Sequence, residues 1–89
     1  MNKDRRQRLE KIIEKLENIK IDLDDLKTDI EDIKDEEEEA KDNMPESLQE
    51  SDRYYTMQEN VDDLEYAIDV DFDSPIEELT DYLQSVIDR

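Results

Sequence analysis

From Leu9 onward, apolar residues recur at alternating spacings of three and four: Leu9, Ile12, Leu16, Ile19, Leu23, Leu26, Ile30 and Ile33. Residues three and four apart share one face of an α-helix, so this is a heptad seam, and it predicts one long helix over 3–43. The phase runs on through Glu37, Ala40 and Met44, where a charge and a small side chain predict looser packing. Asn43-Met44-Pro45-Glu46-Ser47 predicts the stop, because proline cannot extend the hydrogen-bond ladder and biases Met44 away from helical angles. Pro45 can open a short helical turn through Leu48 within a connection over 44–51. With Ser51 or Asp52 as cap, a second helix over 52–71 carries Tyr54, Met57, Val61, Leu64 and Ile68 at the same spacing. The period slips between Asp69 and Asp73. Ser74-Pro75-Ile76-Glu77 then supplies a cap, a proline at the first helical position and a glutamate three residues after the cap, predicting a third helix over 75–88 with the stripe Ile76, Leu79, Leu83 and Val86.

Two arms of about 38 residues, each roughly 57 Å long if helical, predict an all-α, single-domain antiparallel helical hairpin with a kinked return arm. Ile13, Ile21, Val70, Phe72 and Ile87 fall outside the stripes and need cover, which dimerisation into a four-helix coiled-coil bundle would supply. Lys20, Lys27, Lys34 and Lys41 share the heptad position just after the core residue. They are expected to pair across the seam with acids such as Glu65, setting register at about 0.2 to 1 kcal/mol per pair.

Composition sharpens this picture. In 89 residues, 47% charged, with no glycine and two prolines, long helices are favoured over a compact α/β core, and the regular apolar spacing argues against a disordered tail. A domain this small buries little surface alone, which again predicts self-association as a homodimer. The absence of cysteine and histidine excludes disulfides, thiolate chemistry, zinc sites and imidazole catalysis. Apolar runs are no longer than pairs such as Ile12-Ile13, so neither a leader segment nor a membrane span is expected, and a cytoplasmic location is the default. A net charge of −18 should repel nucleic acid and anionic lipid and attract basic protein surfaces.

The charge is unevenly placed. Residues 1–20 hold seven bases and four acids, whereas residues 29–73 hold nineteen acids and three bases. Glu36 to Glu39 and Asp42 crowd the C-terminal end of the first helix, where the macrodipole disfavours acids by about 0.3 to 1 kcal/mol each. A local rule broken repeatedly points to a use. The expected docking surface for a basic partner comprises Asp29, Asp32, Asp35, Glu36, Glu37, Glu38, Glu39, Asp42, Glu46, Glu50, Asp62 and Asp63, with Tyr55 and Tyr66 as off-seam aromatic anchors. The plainer alternative is a solvated acidic face. A helical rod of this charge carries about one negative charge per 3 Å against one per about 1.7 Å in duplex DNA, so mimicry of DNA is physically open.

Other chemistry is thinner. Asp69, Asp71 and Asp73 imitate alternate ligands of an EF-hand calcium loop, but Ser74 replaces the turn glycine and Thr80 the closing glutamate. The favoured reading of that segment is an acidic kink, with no metal. Arg5, Arg6 and Arg8 form a small basic arm without interleaved aromatics, a weak nucleic-acid signal. Paired carboxylates need a concave site to act as acid and base, and a hairpin offers none, so no enzymatic activity and no cofactor are expected.

The segment Asp42-Asn43-Met44-Pro45-Glu46-Ser47-Leu48-Gln49-Glu50-Ser51-Asp52-Arg53-Tyr54, with Met57, Glu59 and Leu64-Glu65-Tyr66-Ala67-Ile68-Asp69, resembles small acidic helical-hairpin accessory proteins of phages and prophages of Gram-positive bacteria. The likeness covers the turn and second helix and implies a phage context, with no catalytic residues to carry over. Asp71-Phe72-Asp73-Ser74-Pro75 departs from the uninterrupted second helix that the resemblance implies. Together these readings lead to a non-enzymatic acidic protein that occupies the nucleic-acid-binding groove of a host protein, as an anti-CRISPR or anti-restriction inhibitor would. A self-assembling scaffold with a solubilising surface and a weak calcium binder are the alternatives.

Overall fold

A computed structural model describes the whole chain, residues 1–89, which is 85% helical and contains no strand. Helix α1 spans Lys3–Asp42, α2 spans Asp52–Ile68 and α3 spans Asp73–Asp88, with a short 3-10 turn at Glu46–Leu48. The forty residues of α1 rise about 60 Å. Its first turn is closed by Asn2, whose Oδ1 accepts from the Arg5 N–H at 2.9 Å. Pro45 stands in an extended conformation (φ −56°, ψ 144°) and ends the helical path. Ser51 is the N-cap of α2: its hydroxyl oxygen accepts from the Tyr54 N–H at 3.3 Å and its hydroxyl donates to the Leu48 carbonyl.

The restart of the chain differs from the expected one. Helix α2 ends at Ile68 and α3 begins at Asp73, so α2 is shorter and α3 longer than the sequence predicted, and the break between them falls earlier and is one residue longer. The capping oxygen belongs to Asp71, whose Oδ1 accepts from the Ser74 N–H at 3.2 Å, and not to Ser74. A carboxylate three residues upstream can satisfy that orphan N–H. Pro75 then falls later in the first turn, where its missing N–H still costs nothing.

The chain packs as two compact units, Met1–Asp24 with Asp71–Arg89, and Asp25–Val70, with α1 running through both. In the 25–70 unit, Lys27 Nζ donates to the Val70 carbonyl and Lys41 Nζ to Gln58 Oε1, so the C-terminal half of α1 and α2 run antiparallel. Val61 is buried, and Tyr54, Met57, Leu64 and Ile68 are half-buried against the α1 seam. In the other unit Lys20 pairs with Glu77 at 2.7 Å, and Glu17 lies beside Thr80 and Asp81, again an antiparallel order. Ile13 is buried there, with Leu9, Leu16, Leu23, Ile76, Thr80, Leu83, Val86 and Ile87 half-buried.

The face that α1 turns to its neighbours is not the expected one. Its shielded positions are Arg6, Leu9, Ile13, Leu16, Lys20, Leu23, Lys27, Ile30, Lys34, Glu37 and Lys41, a three-four alternation that Met44 continues just past the helix, with Glu38 alone shielded outside it. Ile12, Ile19, Leu26 and Ile33, assigned to the seam from hydropathy, are exposed, as is Leu79 on α3, whose place is taken by Thr80. A contact between two helices is about two columns wide, so α2 and α3 can cover one flank of the leucine column and not both. They cover the lysine flank. There the aliphatic stems pack while the ammonium groups of Lys20, Lys27 and Lys41 reach acceptors. Glu65 is not among those acceptors: Lys20 takes Glu77, Lys41 takes Gln58, and Lys34 lies 3.8 Å from its own neighbour Asp35. The core that results is slight. Ile13 and Val61 are its buried hydrophobic residues, and no large side chain is completely enclosed.

Candidate protein-docking surface

The 25–70 unit holds eighteen acids against four bases, a net of −14, while the remainder of the chain holds twelve against eight, a net of −4. Helical geometry disposes of three of those four bases. Lys27, Lys34 and Lys41 occupy seam positions, the first two half-buried and Lys41 only 8% exposed. Lys41 is held by Gln58, by the ring of Tyr54 at 5.8 Å from its centroid and by Asp42 at 3.8 Å. Burying an ammonium requires such partners. Gln58 is itself fixed, its Nε2 donating to Asp62 Oδ1 at 2.9 Å.

The outer surface of this unit therefore presents Arg53 as its one exposed base. Around it the acids face solvent: Asp29, Asp32, Asp35, Glu36, Glu39, Asp42, Glu46, Glu50, Asp62 and Asp63 are all exposed. Glu37 and Glu38 are half-buried, because Glu37 occupies a seam position and Glu38 follows it. The tyrosines divide as expected from their phase. Tyr54 is half-buried and meets Tyr55 edge to face at 5.9 Å between centroids, whereas Tyr55 and Tyr66 are 55% and 72% exposed. The lysines, expected on the edge of the seam, stand within it, and their exact seven-residue spacing is the signal in the sequence for that position.

The other candidates fare differently. Asp69, Asp71 and Asp73 are not gathered, and no group of three or more acidic side chains converges in a way that could hold a metal ion. Asp71 is engaged in capping α3 instead. Arg5 and Arg8 stay exposed, Arg8 lying 3.8 Å from Asp4, while Arg6 turns into the seam and leaves its Nε buried without an acceptor. A hollow lined by Ser74, Glu77, Glu78, Asp81, Tyr82 and Ser85 sits on the outer face of α3 alone. In the same unit, the hydrogen bond that Lys20 donates to Glu77 raises the Lys20 pKa above its ordinary value; partial desolvation opposes this, and the charges of Glu77, Asp73 and Asp24 reinforce it.

Fold and surface define an all-helical acidic protein in which no helix is long and apolar enough to cross a membrane. No protein family, curated protein or solved structure matches the chain.

Proposed function

We propose that this chain is a non-catalytic interaction protein whose 25–70 unit docks its acidic surface onto a basic, nucleic-acid-binding groove of a partner protein. The observation that carries the reading is the inward turn of Lys27, Lys34 and Lys41, which leaves a field of acids opposed at the surface by Arg53 alone. Such a field speeds and orients encounter with a basic surface and repels nucleic acid itself. Exposed Tyr55 and Tyr66 add amphipathic contact area. The proposed setting is a phage one, in which the partner is a host defence protein and the site of action the host cytoplasm. Capture from a low-salt host lysate identifies the partner. Binding should weaken steeply with ionic strength and at least tenfold on reversing Glu36 and Glu39 to lysine. A captured partner that binds this variant undiminished would sink the docking reading.

The exposed Ile12 and Ile19 favour a second property compatible with the first, self-association into a homodimeric four-helix bundle. A scaffold function would rest on that property alone, and its assembly would survive the charge reversal.

A further inference from the structure

In the unit Met1–Asp24 with Asp71–Arg89, the Lys20–Glu77 pair marks one flank of the contact between α1 and α3. At 100° per residue, Ile12 and Ile19 stand on the opposite flank of α1, and Phe72, Leu79 and Val86 on the opposite flank of α3. Corresponding flanks of an antiparallel pair lie on the same side. These five residues therefore make one apolar face, with members spaced seven apart on each helix and the four largest exposures at 42% to 47%. The equivalent column of α2 in the 25–70 unit carries Arg53, Asn60 and Ala67, so the face is not repeated there.

We propose that the face formed by Ile12, Ile19, Phe72, Leu79 and Val86 seats a second copy of this chain, a statement that rests on the homodimer reading above and locates it. Three observations select a second copy as the occupant. The chain exposes 6999 Å², against about 5,500 Å² expected for a folded monomer of 10.7 kDa, and the excess exceeds the roughly 800 Å² that each partner of a stable interface buries. With Ile13 the single buried hydrophobic residue of this unit, a copied face supplies the core that one chain lacks. Charge also selects this unit, because apposing two surfaces of net −4 is far less repulsive than apposing two of net −14.

Analytical ultracentrifugation of the full chain tests this with Leu79→Glu and, as control, Ile33→Glu in the other unit. The expected result is a wild-type dimer, a dissociation constant weakened at least a hundredfold by Leu79→Glu, and one changed less than threefold by Ile33→Glu. A wild type that stays monomeric at every concentration defeats the homodimer reading and this one with it. A dimer that survives Leu79→Glu leaves the homodimer standing and removes this face from it. Should Leu79→Glu lose its helical circular dichroism, a nitroxide on Leu79→Cys or Ile33→Cys decides, since the chain has no other cysteine. Immobilisation with rising concentration at 79 and not at 33 is expected; the reverse overturns the proposal.

Discussion

Lys41 offers a direct test of why lysines line a helical seam. Its side chain is almost enclosed, with the ammonium on Gln58 and above the Tyr54 ring. Truncation to alanine removes three methylenes, each contributing about 0.8 kcal/mol when buried, and opens the space they filled, so Lys41→Ala should cost about 2 kcal/mol. Lys41→Met keeps a stem of similar length and removes the charge together with its desolvation cost, and it should stay within about 1 kcal/mol of wild type in either direction. Urea unfolding followed by circular dichroism gives both values, with unchanged slopes showing that the unfolded state is not the cause. In thermal scans Lys41→Ala should melt roughly 8 to 16 °C lower, by the usual scaling for a domain of this size. If Lys41→Met proves as damaging as Lys41→Ala, the ammonium and its partners hold the seam and the stem argument is wrong. A docking consequence follows too: Lys41→Met takes the net charge of the 25–70 unit from −14 to −15 without touching its outer surface, so affinity for a basic partner should not fall.

Removing the cap hydroxyl with Ser51→Ala should lower stability by about 1 kcal/mol, since the Tyr54 N–H loses its acceptor; a change below a few tenths in urea unfolding would assign capping elsewhere. Glu77→Gln should return the Lys20 pKa towards its ordinary value, read from the Nζ-linked carbon shifts by NMR, and an unmoved titration would show that Glu77 is not the cause. The sign follows from the raised value: the stabilisation this pair provides is complete below the ordinary lysine pKa and is lost as pH rises through the folded one, so it matters only in strongly alkaline solution. Arg6→Leu should leave stability unchanged or raise it by up to about 1 kcal/mol, because it replaces a seam Nε that has no acceptor; a clear loss would reveal a partner for the guanidinium.

Much of this architecture is legible in the residues themselves. The three-four spacing from Leu9, the proline after Met44, Ser51 before an acidic first turn and the Tyr54 to Ile68 stripe each act over a few neighbouring residues, and local geometry suffices to place the two long helices and the turn. The exposure of most acids in the proposed docking surface is also legible, though Glu37 and Glu38 are half-buried because the run crosses the seam. What the sequence leaves open is rotation. Ile12, Ile19, Leu26 and Ile33 lie on one flank of the leucine column and Lys20, Lys27, Lys34 and Lys41 on the other, and periodicity alone gives both flanks the same phase relation to it. Hydropathy favours the isoleucine flank. Only the tertiary structure shows that α2 and α3 take the lysine flank, because Glu77, Val70 and Gln58 stand where the ammonium groups can reach them, at positions 57, 43 and 17 residues away along the chain. That choice decides at once which apolar column is left for another molecule and why the acidic surface meets so little opposing charge.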